Sequence, residues 1–188
     1  MPPRKPGDLT PWKTRSSRPV YQNKWISVRE DVAEMPDGRT TIYGVVTMAQ
    51  AVGVVPLLPD DRVVLVRQWR YVSKEARWEI PTGGIRSGED LLAAAQRELA
   101  EETGYTAGRL MHLATFYSSK SVCDETCHIY LGDALTAIDT HREDETEFLE
   151  VQALPAAEAV DLVARSEIRD AMSVIGLLHL ARLRGWRY

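Results

Sequence analysis

Cysteine is scarce in this chain: Cys123 and Cys127 are the only two among 188 residues. So few thiols exclude a disulfide-stapled scaffold, and with His112, His128, His141 and His179 they fall in no zinc-binding spacing. Long apolar runs are missing too. No stretch approaches the ~20 residues of a membrane span, and the opening MPPRKPGDLTPWKTRSSRP carries no apolar core of a secretory signal. Neither sign of charge dominates. With 23 Lys and Arg against 27 Asp and Glu, the net charge of −4 argues against a protein that coats nucleic acid. No internal repeat is visible. These absences lead to the expectation of a cytoplasmic protein with two free thiols and neither a membrane nor a nucleic-acid partner.

What is present belongs to the globular class, with 44% hydrophobic and 27% charged residues. Residues 1–19 hold five prolines and five Lys or Arg with no periodic pattern, which predicts a flexible arm. Residues 20–48 predict a small β-hairpin subdomain: a strand over Trp25–Glu30, a turn at Pro36-Asp37-Gly38, and a returning strand over Thr40–Thr47. The remainder, 49–188, is the expected main domain. It alternates strands at 51–55, 62–68, 78–80, 110–117, 126–131 and 147–154 with helices over 156–164 and 168–184. Strands mixed with a few helices imply an α/β fold in which a mixed sheet lies between helices.

One segment carries chemistry. Between Gly83 and Tyr105 the chain reads GGIRSGEDLLAAAQRELAEETGY. On a helix, at ~100° per residue, Glu98 and Glu102 project about 40° apart, one turn removed, with Glu101 on the same side. Like charges so placed repel unless something positive lies between them, and carboxylates without His or Cys select a hard cation such as Mg²⁺, Mn²⁺ or Ca²⁺. Gly83 and Gly84 follow Pro81-Thr82 and predict a sharp turn with carbonyls free to reach a metal. Ser87-Gly88-Glu89 is expected to open the helix with acid in its first turn, Leu91, Leu92, Ala95 and Leu99 to form its buried stripe, and Gly104 to end it. Arg97 can pair with Glu101 or fold back toward Glu89.

Gly83, Glu89, Arg97, Glu98, Leu99, Glu101, Glu102, Gly104 and Tyr105 together resemble the signature of the Nudix hydrolases, with Tyr105 where an aliphatic residue is the formal choice. The resemblance implies a Nudix-type α/β/α sandwich with a mixed β-sheet plus a small N-terminal β-subdomain. It also implies water attack on a diphosphate linked to another group, with Mg²⁺ as cofactor and Mn²⁺ a possible substitute. Glu98 and Glu102 would be metal ligands, Glu101 a third or water-mediated one, Arg97 a catalytic partner holding the acidic face, and the Thr82 carbonyl a further ligand.

Other stretches resemble the ADP-ribose and nucleoside diphosphate sugar pyrophosphatases within that family. In Arg67-Gln68-Trp69-Arg70 the last arginine is the candidate for substrate contact, an ion suited to bidentate phosphate recognition. Trp78-Glu79-Ile80-Pro81-Thr82-Gly83-Gly84 resembles the entry to the signature, which makes Glu79 a substrate-side candidate. Tyr43 falls where relatives place an aromatic ring against the nucleobase. The acidic run Arg142–Val151 resembles the loop that supplies the general base, so Glu145 and Glu147 share that role, Glu147 also approaching the metals, with Glu125 the rival base. Ser119–Cys123 departs from the usual proline and glycine before the Asp124-Glu125 pair. GDP-mannose-like substrates therefore stay open, as do a dinucleoside polyphosphate enzyme and a non-catalytic sensor. The resemblance further implies a homodimer formed through the N-terminal strands.

Overall fold

The computed structural model describes residues 11–139 and 149–187. Glu145 and Glu147 lie outside the described residues, as do the first ten residues of the expected arm. The described residues form two compact units, one of 11–48 with 119–125 and one of 49–118 with 126–139 and 149–187.

The first unit is a four-stranded sheet. β1 (Lys13–Gln22), β2 (Ile26–Glu34) and β3 (Thr40–Met48) form an antiparallel meander, and the short β9 (Cys123–Asp124) adds in parallel beyond β3. The stretch expected as an arm thus contains most of a strand. β1 has no buried residue, so no alternating apolar face marks it in the sequence. It is held instead by its backbone ladder to β2 and by cross-strand ion pairs: Arg15 with Glu34, and Arg18 Nε with Glu30 Oε1 at 2.9 Å. Pro19, without a backbone N–H, sits at a register shift of this edge strand, where its missing donor costs little.

The second unit contains β4 (Ala51–Pro56), β5 (Arg62–Arg70), β6 (Glu75–Glu79), β7 (Thr82–Gly84), β8 (Tyr105–Tyr117), β10 (Thr126–Ala137) and β11 (Glu150–Pro155). Its helices are α1 (Leu91–Thr103), α2 (Ala156–Ala164) and α3 (Ala171–Leu183). One sheet runs β7-β4-β10-β8 and a second β11-β5-β6. All six residues of β4 are buried, the continuous apolar run of a strand covered on both faces. Its alternation divides the core. Val52 and Val54 join Ala94, Ala95 and Leu99 of α1, whereas Val55 joins Leu177 and Leu180 of α3. Helices therefore cover opposite faces of a mixed sheet, the α/β/α sandwich that the sequence implied.

Helix α1 starts later than expected. Asp90 is its N-cap, accepting from the N–H groups of Leu92 and Ala93, so Ser87-Gly88-Glu89 forms the turn before the helix and no acid lies in the first turn. Leu92 is 48% exposed and stands outside the buried stripe. The residues that pack are Ala94, Ala95 and Leu99, with Leu91 partly buried against them as expected. Gly104 closes the helix at φ 73°, and its N–H donates to Ala100 O. Gln96 then sets how the helix docks on β8: its carboxamide donates to Ala107 O at 2.5 Å and accepts from Ala107 N at 3.0 Å, as a neighbouring strand would. Ala107 is buried, so Gln96→Ala leaves both backbone groups without partners. We expect it to cost ~1–3 kcal/mol in urea unfolding, and a loss below a few tenths would show that water replaces the amide.

A chain of side chains spans this unit. Gln50 Oε1 is 3.1 Å from His128 Nε2, His128 Nδ1 is 3.1 Å from Thr115 Oγ1, and Thr115 Oγ1 is 2.8 Å from His112 Nε2. An amide oxygen can only accept, so Nε2 carries the proton of neutral His128. Burial, and then the charge of His112, hold the His128 pKa below its ordinary value. The folded state thus binds this proton less readily than the unfolded one. The stability so gained is present above the unfolded pKa of about 6.5 and declines as pH falls below it. In denaturant melts between pH 7.5 and 5.5, His128→Gln should flatten that decline. An unchanged slope would remove His128 as its source.

Candidate active site

The polypeptide makes a carboxylate cradle where α1 meets the turn between β6 and β7; Gly83 and Gly84, expected in a sharp turn, lie instead in the short strand β7 paired with β4. Val54 N donates to Pro81 O at 3.0 Å, which seats the turn on β4, and Thr82 N donates to Glu102 Oε2 at 3.0 Å. Glu98 lies beside it. A Cβ built on Gly83 would come within 2.0 Å of the Glu98 carboxyl carbon, so the carboxylate rests against bare backbone. Glu98 and Glu102 are only 8% and 3% exposed, a costly place for two charges unless each is compensated.

Arg97 supplies part of that compensation. Nε and Nη2 donate to the two oxygens of Glu89 at 2.8 and 2.9 Å, a bidentate pair. Nη1 donates to Glu98 Oε1 at 2.7 Å and Glu101 Oε2 at 3.2 Å, and Nη2 donates also to Gly84 O at 3.0 Å. The five N–H groups of the guanidinium thus all meet oxygen. Both geometries open to Arg97, pairing along the helix and folding back to Glu89, occur together. Arg97, and then the backbone N–H of Arg86, hold the Glu89 carboxyl down to about 2. Hydrogen bonding to Glu89, acting against burial, raises the Arg97 pKa still further above its ordinary value. Arg86 stands 3.5 Å from Glu101. Among the described residues, Glu89, Glu98, Glu101 and Glu102 thus gather on this wall around Arg97 and Arg86, with the charge of Arg70 also felt by Glu102.

Clustered carboxylates that offer only oxygen donors fit a hard divalent cation. Among the described residues no three Asp, Glu, His or Cys side chains converge closely enough to enclose an ion by themselves. Glu98 and Glu102 would hold it together with backbone carbonyls of the turn and water, a mixture that suits Mg²⁺, which keeps several waters.

Arg70 and Glu79 form a second charged group. Arg70 Nε donates to Glu79 Oε1 at 2.9 Å; Glu79 is 5% exposed, whereas the Arg70 side chain is 45% exposed. Burial pushes the Glu79 carboxyl up against the pull of Arg70. Burial opposes the Arg70 charge in turn, but Glu79, followed by Glu102 and Asp170, holds its pKa above the ordinary value. Glu79 lies behind the arginine and orients it, while the guanidinium keeps an exposed side.

Tyr43 and Glu125 belong to the first compact unit. Tyr43 stands edge-on to Trp12, with ring centroids 6.3 Å apart, and lines a cavity of about 330 Å³ together with Arg29, Lys120 and Asp124. Glu125 is half-buried. Reading the sequence did not single out Gln96, Ser173 or Gln50. Each is a polar residue within or beside an apolar run and signals nothing until its partner in space is known.

Residues 47–173 match the NUDIX domain, and residues 12–46 match the nucleoside diphosphate sugar hydrolase N-terminal domain. The chain belongs to the Nudix hydrolases. It is similar to an ADP-ribose pyrophosphatase of Bacillus subtilis, 32% identical over 169 residues that cover 89% of this chain and 91% of that protein. A methanol dehydrogenase activator of Bacillus methanolicus is 30% identical over 175 residues, covering 93% and 95%. A crystal structure of an ADP compounds hydrolase superposes with a TM-score of 0.85 at 26% identity, covering 94% of this chain and 96% of that one. This Nudix chain is a pyrophosphohydrolase, and its signature residues build the cradle described above.

In a Nudix site so arranged, Gly83→Ala forces the Glu98 carboxylate off the turn, because the end of a side chain yields before backbone does. We expect kcat to fall by about tenfold or more, with a stability loss of only ~1–3 kcal/mol. Activity within about twofold of the parent would mean that the Glu98 position is not critical.

Proposed function

We propose that this Nudix enzyme hydrolyses the pyrophosphate bond of a nucleoside diphosphate sugar of the ADP-ribose type, giving a nucleoside monophosphate and a sugar phosphate, with Mg²⁺ as cofactor and Mn²⁺ a possible substitute. The observation that carries this reading is the pair of buried glutamates, Glu98 and Glu102, set against the short strand Thr82–Gly84. When bound, a divalent cation neutralises pyrophosphate charge and lowers the pKa of an attacking water.

The chain's own residues divide the remaining work. Arg97 keeps Glu98 and Glu101 in place, and the Thr82 carbonyl completes the cradle. Arg70, steadied by Glu79, presents its exposed N–H groups to a phosphate. Glu145 or Glu147 takes the proton of the water, an assignment that rests on the acidic run alone, with Glu147 also approaching the metal and Glu125 as the rival base. Tyr43 stacks on the nucleobase. The Ser119–Cys123 loop, with Lys120 in place of the usual proline and glycine, supports a second reading in which the terminal group differs from ribose, as in GDP-mannose-like substrates. The match of residues 12–46 to the N-terminal domain of nucleoside diphosphate sugar hydrolases supports a sugar nucleotide over a dinucleoside polyphosphate or a sensor. The reading includes a homodimer through the N-terminal strands, which expose the hydrophobic side chains of Val20, Tyr21 and Ile42. It includes a cytoplasmic setting, consistent with free thiols at Cys123 and Cys127.

Hydrolysis of a panel of nucleotide sugars in ¹⁸O-water, with products identified by mass, tests the substrate and the phosphorus attacked. ADP-ribose should give AMP and ribose phosphate. Glu98→Gln should lower kcat by at least ~10²-fold, and turnover that survives this change would refute the role given to the cradle.

A further inference from the structure

A second hydrogen-bonded relay reaches the same turn from the opposite face of the sheet. Ser173 lies in the first turn of α3 and is fully buried. Its backbone N–H and its hydroxyl both lie 2.8 Å from Asp170 Oδ2, and Ile80 N lies 2.9 Å from Ser173 Oγ. The proton directions follow from chemistry. A carboxylate can only accept, so the hydroxyl donates to Asp170 and presents a lone pair to Ile80 N–H. Ile80 is itself fully buried and is followed by Pro81, which has no N–H. Ser173 is thus the partner of the last backbone donor before the turn.

The turn is held at consecutive points. Ile80 N is fixed by α3, Pro81 O by Val54 of β4, and Thr82 N by Glu102 of α1. Met172, next to Ser173, approaches the same place: a Cβ on Gly53 would meet Met172 Cε and Thr82 Cγ2 at 3.1 Å each.

We propose that Ser173, oriented by Asp170, is a positioning residue for the Nudix reaction: it fixes the height of the Ile80–Gly83 segment and, through it, the placing of the Thr82 carbonyl and the Glu98 and Glu102 carboxylates. The proposal rests on the reading of that turn as one wall of the metal cradle. A hydroxyl in a fully buried first turn does two things at once. It closes the cap of α3, and it carries the position of that helix to a turn 93 residues away. A cap alone needs only the bond from Ser173 N to Asp170. The bond from Ile80 N to the hydroxyl is the part that reaches the site.

The test separates a cap from a positioning role. Mn²⁺ affinity is read directly, from the electron paramagnetic resonance of free Mn²⁺, beside steady-state kinetics and amide exchange of the apoprotein at Ile80. For Ser173→Ala we expect faster exchange at Ile80. We also expect Mn²⁺ affinity weaker by about tenfold and kcat lower by about tenfold, the range for loss of a group that supports metal ligands, with KM for the sugar nucleotide within about twofold. Asp170→Ala should move the same quantities the same way. Asp170→Asn, which keeps an oxygen to accept both Ser173 donors, should recover most of the loss. These two variants decide the matter if Ser173→Ala does not fold. Mn²⁺ affinity and kcat within about twofold of the parent in Ser173→Ala, or equal losses in Asp170→Ala and Asp170→Asn, would overturn the proposal. Should the parent protein bind no Mn²⁺ and hydrolyse no nucleotide sugar, the reading of the cradle fails instead, a different result from a parent that binds and a variant that matches it.

Discussion

Five donors on one guanidinium organise the acidic wall of this enzyme. Arg97 binds Glu89 with two of them, Glu98 and Glu101 with two more, and the Gly84 carbonyl with the fifth. An arginine in the middle of the wall does what a lysine could not, since a point charge cannot grip one carboxylate in bidentate fashion while reaching two others. The arrangement also explains why the segment before α1 has its shape. Glu89 must stand outside the helix to face Arg97, so the turn at Ser87-Gly88 and the cap at Asp90 follow from that single ion pair. The wall so ordered gathers oxygen donors on one side of the helix, the donor type that suits a hard cation.

The chemistry was far easier to read in the sequence than the geometry that supports it. Glu98, Glu101, Glu102 and Arg97 were visible because charge at helical spacing with no apolar purpose is conspicuous. Most strands and α2 were visible because apolar residues recur at the right period. β1 was invisible for the opposite reason: a strand with no buried side chain has only its backbone to declare it. Leu92 misled because leucine at a plausible helical position looks like core. Here the packing stripe is carried by Ala94 and Ala95, whose small size admits the close approach that a leucine would have blocked. Gln96 and Ser173 could not have been found from sequence at all. What each does depends on a backbone group brought to it by the fold, and neither has a local pattern that names its partner.

The central strand β4 joins these observations. Its two faces serve different helices, Val52 and Val54 for α1 and Val55 for α3, so any change in its height would alter both packings at once. Close-packed interiors transmit such shifts rather than absorb them. By donating Val54 N–H to Pro81 O, the same strand fixes the turn that leads into Thr82 and Gly83. The cradle is therefore not a feature of the signature helix alone. It is defined where α1, β4 and the β7 turn meet, and the helix supplies only the carboxylates.

This placement accounts for the high cost that the fold tolerates at Glu98, Glu102 and Glu79. Buried carboxylates lower stability unless each finds donors, and here each does: Arg97 for Glu98, Thr82 N for Glu102, Arg70 for Glu79. For Glu98 and Glu102 the donor is itself anchored elsewhere, Arg97 by Glu89 and the segment before Thr82 by β4, so these two carboxylates are oriented before any ligand arrives. Carboxylates held in this way have little freedom left to lose on binding an ion. The penalty for gathering them has been met in folding, where it is offset by the core that α1 and α3 form on either side of β4.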